Sequence, residues 1–175
     1  MIFKKWWDAF LELKRTNLPR FILLCARVGL GFLFFVAMLL PFFKMIQFGS
    51  VVARTASVQI PGGWIFLILT WILMAGIAFA SLLKEGWLKW MLLGQAAQMS
   101  ILWLWNMVIF AFAAQEALNY PEASCALAFG MVFELIVLGL MWVSVFGEKF
   151  VLAFLGKRAK VHPAAEAEAV APPQA

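Results

Sequence analysis

The sequence predicts an all-α integral membrane protein: a four-transmembrane-helix up-and-down bundle preceded by an N-terminal amphipathic helix at the membrane interface. Three observations carry this reading. Of 175 residues, 65% are apolar and 13% charged, against about 45–50% and 25% in soluble domains, and a soluble fold of this length could not bury that much apolar surface. The apolar residues collect into four runs, over 21–43, 64–83, 90–114 and 123–146. Each reaches the ~20 residues an α-helix needs to cross ~30 Å of hydrocarbon while satisfying its own backbone. Two of the links between runs are short, which makes consecutive helices antiparallel neighbours.

Taken in order, residues 1–18 form the amphipathic segment. At about 100° per residue, Ile2, Phe3, Trp6, Trp7, Phe10, Leu11 and Leu13 gather on one side and Lys4, Lys5, Asp8, Glu12 and Arg15 on the other. Trp6, Trp7 and Phe10 are the expected anchors in the headgroup layer. Thr16, Asn17 and Pro19 end this helix and turn the chain inward. The first run is longer than the roughly 7–15 residues of a signal-peptide core, so it is expected to stay in the mature protein.

The transmembrane domain covers 19–148. Between its first two runs, Lys44 to Gly63 is too apolar for a free linker and is expected to lie on the outer interface or across the bundle mouth, with Pro61, Gly62 and Gly63 turning into the second helix. Residues 149–175 read as a basic stretch followed by a disordered Ala/Glu/Pro tail.

Orientation follows from the basic residues in the flanks. Eleven lie on the side of the termini and of the link between the second and third runs, and only Lys44 and Arg54 lie on the other. The positive-inside bias then places both termini in the cytoplasm of what reads as a bacterial inner membrane. No basic segment stands apart from the apolar runs, so nucleic acid is not an expected partner.

The polar exceptions inside the runs carry the functional reading. Glu134 stands eleven positions into the fourth run among apolar neighbours, which predicts a place near the bilayer midplane, either protonated or facing a polar partner. On the third run Gln95, Gln98 and Asn106 fall at about 0°, 300° and 20° and share one face, with Glu116 extending it outward. Such a stripe turns toward other helices and acts as interhelical glue or lines a path. Arg27, about two turns into the first run, either snorkels to headgroup phosphates or points inward to join the same network.

Chemistry-bearing patterns are missing. His162 is the only histidine, Cys25 and Cys125 fall on opposite faces, and no metal or nucleotide motif occurs. Asp8 is the only aspartate, so the intramembrane aspartate pair of lipoprotein signal peptidases is absent. No catalytic residue, metal site or cofactor is expected. The sequence reads as a non-catalytic subunit or assembly scaffold of a larger inner-membrane complex for secretion, conjugation, transport or respiration. Its expected partners are the bilayer and other membrane subunits or itself. The alternative is a small transporter or channel using Glu134 and the Gln/Asn stripe.

Overall fold

A computed structural model of the protein describes residues 2–83 and 85–154. Helix α1 (Ile2–Thr16) is followed by α2 (Leu18–Leu39), strands β1 (Pro41–Gln47) and β2 (Ser50–Ala56), a 3₁₀ turn (Ser57–Gln59), α3 (Gly63–Leu83), α4 (Glu85–Ala117), strand β3 (Ala123–Leu127) and α5 (Phe129–Phe146). Four helices, α2 to α5, are long and apolar enough to span a membrane. Residues 148–154 are helical, so the helix runs past 149, where the tail was expected to start, and 155–175 fall outside the described residues.

The all-α expectation is corrected by a three-stranded antiparallel sheet of order β2-β1-β3. Two apolar runs are therefore shorter as helices than their composition suggests, one at its end and one at its start. The first run was expected to reach 43, but α2 stops at Leu39 because Leu40, which precedes proline, takes an extended conformation (φ −80°, ψ 150°). Pro41 then opens β1, a position where the ring displaces no ladder donor. The fourth run was expected to begin at 123, but residues 123–127 pair with β1 and the helix starts only at Phe129. The third run extends in both directions beyond the expected 90–114.

Strands β1 and β2 are joined by Phe48 and Gly49, both at positive φ (51° and 74°), as a two-residue type I′ hairpin turn requires. A register shift between Pro41 and Phe43 marks a bulge, and the consecutive Phe42 and Phe43 are both buried there. With Ile60 they form a second core under the sheet, packed against Met107 and Phe110 of α4 and Met131 of α5.

Among the long helices, α2 packs on α3 and α5, and α4 packs on the same two. Chain neighbours are thus spatial neighbours around a core of Phe34 and Met38, Ile77, Met99 and Leu102, and Val137 and Met141. The sheet closes one end of this bundle. Helix α1 lies at the other, where Asn17 caps α2 by accepting from the Arg20 N–H at 3.2 Å and the Phe10 ring meets Phe21 at 5.0 Å.

Candidate functional site: a buried polar clasp at the sheet end

Ser57, Asn106 and Glu134 come together from three elements and are all fully buried. Ser57 opens the 3₁₀ turn, held in place because the Gln59 side chain accepts the Ala56 N–H at 2.8 Å and the Ile60 N–H returns to the Ser57 carbonyl. Its hydroxyl donates to Glu134 Oε1. Asn106 on α4 donates through Nδ2 to Ser57 Oγ at 2.8 Å and to Glu134 Oε2 at 3.2 Å. Both carboxyl oxygens are thereby engaged, while Asn106 Oδ1 has no partner. The three residues tie the α2–α3 connection to α4 and α5 in an interior where an unpaired polar group is costly.

The depth expected for Glu134 changes with the helix boundary. It is the sixth residue of α5, so at 1.5 Å per residue it lies about 8 Å along the axis from the start of that helix, nearer the sheet end than its place in the apolar run suggests. Five residues counted into the apolar run belong to β3, and that shift accounts for most of the difference.

The α4 stripe is buried as its spacing suggests, but it divides. Gln98 donates to Thr70 Oγ1 of α3 at 2.8 Å, and Thr70 in turn donates to the Phe66 carbonyl. Eight residues, about 12 Å of helix axis, separate Gln98 from Asn106. Gln95 is fully buried with neither amide atom partnered, and Glu116 is exposed.

Arg27 does not snorkel and does not join that stripe. It is 3% exposed and points into the end of α5, where it donates to the Ser144 carbonyl at 2.9 Å and to Glu148 Oε2 at 3.0 Å. Ser144 lies in the last turn of α5, whose carbonyls have no partner within the helix. The Gly147 N–H takes the Val143 carbonyl and Arg27 takes the next one. A cation is also favoured at the negative end of the helix dipole.

On α1, Trp6 and Trp7 each lie 5.7 Å from Phe10 between ring centroids. Phe10 turns toward α2, while Phe3 and Trp7 remain 75% and 48% exposed. The amphipathic helix thus spends part of its apolar face on the bundle.

Sequence reasoning missed Ser57, Thr70, Ser144 and Glu148. No local pattern singles out these positions, since Ser57 and Thr70 are defined by hydroxyl partners on other elements and Ser144 by the Arg27 guanidinium at its backbone carbonyl. Glu148 carried a weak signal as a carboxylate just past a span on the side of Arg27.

Among the described residues, no group of three or more His, Cys, Asp or Glu is placed to hold a metal ion. Both cysteines are free. Comparison with protein-family models, curated proteins and solved structures finds no match to this chain.

Proposed function

We propose that the protein is a non-catalytic membrane subunit or assembly scaffold of a larger bacterial inner-membrane complex, with both termini in the cytoplasm and α1 at the cytoplasmic interface. The observation that carries this reading is the clasp. Its one buried carboxylate has both oxygens engaged in fastening the bundle. Between the clasp and Arg27 the interior is occupied by large apolar side chains, including Phe34, Met38, Met99 and Met141. The aromatic residues left exposed on α1 supply a surface suited to headgroups or a partner helix.

Purification of the full chain from native membranes in mild detergent is expected to bring down a stoichiometric membrane partner. Changing Trp6, Trp7 and Phe10 together to Ser is expected to weaken that association while leaving the bundle inserted, since the four spans supply most of the membrane affinity. A lone protein that conducts solute in liposomes would overturn the scaffold reading.

The alternative, a small transporter or channel, is favoured by one observation: Gln95 is buried with no partner for its amide, as a group that contacts a passing solute would be. The same liposome assay decides between the two.

For orientation, reporters fused after Ala175 and inserted in the Phe48–Gly49 turn are expected to give opposite readings, the first cytoplasmic and the second external. The motive is the eleven-to-two division of flanking cations. A cytoplasmic reading from the hairpin turn would reverse the assignment.

A further inference from the structure

The face of the sheet turned away from the bundle carries two cations side by side. Phe43 and Met45 pack into the core beneath the sheet, so alternation along β1 puts Lys44 on the opposite face. Arg54 of β2 is its direct cross-strand partner, and such partners share a face with their Cβ atoms about 4.5–5.5 Å apart. Like charges placed this way weaken the strand pairing. No carboxylate relieves them: the three strands contain no Asp or Glu, and the neighbour of Lys44 on β3 is Ala126. Glu122 precedes Ala126 by four residues, about 13 Å along the strand. Glu116 lines a separate pocket at the end of α4, and Glu134 is spent in the clasp. Among the described residues, neither cation forms an ion pair or a side-chain hydrogen bond. Both line an open pocket of about 410 Å³, whose other walls include Val51 of β2 and, where β3 passes into α5, Leu127 and Phe129.

We infer that Lys44 and Arg54 together bind one phosphate group, which supplies the negative charge that the sheet lacks. The planar guanidinium fork of Arg54 suits two phosphate oxygens, and the Lys44 ammonium acts as a point charge on a third. Val51, Leu127 and Phe129 are all exposed, so the two cations stand beside apolar surface, as the headgroup and the adjoining chain of an anionic lipid require. Cations paired at a membrane surface favour net negative headgroups over zwitterionic ones. The site needs no partner protein and faces away from the bundle interior, so it stands or falls separately from the scaffold and transporter readings.

A phosphate can come from a lipid or from solution, and the test separates these sources. The full chain in dodecylmaltoside is titrated with phosphatidylglycerol, phosphatidylcholine or inorganic phosphate while thermal unfolding is followed, because a ligand that binds only the folded state raises the midpoint. Phosphatidylglycerol is expected to raise it saturably and phosphatidylcholine to leave it unchanged. Arg54→Gln, at an exposed position, is expected to raise the half-saturating phosphatidylglycerol concentration about fivefold. Lys44→Glu sets an acid opposite Arg54, so it is expected to raise the midpoint of the lipid-free protein and to abolish the response to phosphatidylglycerol. A lysine with a merely structural role would do neither. Lys14→Gln, on the exposed face of α1, should respond as the wild type does. A saturable rise with phosphatidylglycerol alone assigns the site to lipid; an equal rise with inorganic phosphate keeps the phosphate site and assigns it to the free anion. Equal effects of the two lipids, no effect of any ligand, or a phosphatidylglycerol response that survives both Arg54→Gln and Lys44→Glu would overturn the proposal.

Discussion

Glu134→Leu is expected to cost the fold about 3 kcal/mol, because two buried donors lose their acceptor at once and each such loss costs about 1–3 kcal/mol. Those donors are the Ser57 hydroxyl and the Asn106 amide. Glu134→Gln is expected to stay within about 1 kcal/mol of the wild type. The new amide keeps an oxygen for Ser57. Its nitrogen would face Asn106 Nδ2, but Asn106 can turn its amide by 180° and present the Oδ1 that now has no partner, giving up its bond to Ser57 Oγ, a net loss of about one hydrogen bond. Thermal unfolding of the three proteins in detergent gives the ranking. A Gln variant as damaged as the Leu variant would show that the clasp depends on charge, and a Gln variant that assembles normally but loses solute flux would favour the transporter reading.

A second large effect is expected from Gly63→Ala. A Cβ at residue 63 would lie 2.1 Å from the Ser57 carbonyl oxygen and 3.1 Å from the carbonyl carbons of Ser57 and Val58. All of these are backbone atoms, so relief requires the 3₁₀ turn to move, at about 3 kcal/mol. Moving the turn also carries Ser57 away from Glu134. The double variant Gly63→Ala with Glu134→Leu should therefore cost clearly less than the sum of the two changes, as sites sharing one network do. Gly29→Ala and Gly139→Ala serve as controls: a Cβ at either meets nothing within 4 Å, and the gain in helix propensity favours them slightly. Full additivity in the double variant would mean that the turn and the clasp are independent.

The four long helices were legible because long apolar runs with few charges have one ready solution in lipid. The sheet was not, because β1 and β3 are apolar and continuous with the helices beside them. Phe42 and Phe43 extend the first run without a change in hydropathy, and Ala123–Leu127 does the same for the last. Pro41 was the local sign of a boundary, since the residue before a proline avoids helical backbone. The start of α5 offered no such sign: Ala128 precedes it without a side-chain cap. That missed boundary displaced Glu134 in the expected picture.

The inward face of α4 followed from angular spacing alone, but its partition did not. Whether Asn106 meets Glu134 and Gln98 meets Thr70 depends on how far each helix is shifted along its axis relative to the next. Arg27 was ambiguous for the same reason. Its inward course is explained by α5 ending a few residues after Ser144, level with the second and third turns of α2, and no pattern within α2 reveals that offset.

The sheet also sets a timetable for synthesis. As the ribosome delivers the chain, β1 and β2 can pair at once through their two-residue turn, but the other edge of β1 must wait for β3, where Phe43 meets Leu127. Ser57 waits equally long, since its acceptor lies 77 residues downstream. The first helical hairpin therefore enters the membrane with an open strand edge, a surface prone to pair with other chains, and with a hydroxyl still lacking its partner. Contacts of such long sequence separation form late, so the end of the chain acts as its own latch. A nascent protein interrupted before residue 123 would expose that unlatched edge to whatever proteases and chaperones patrol the membrane.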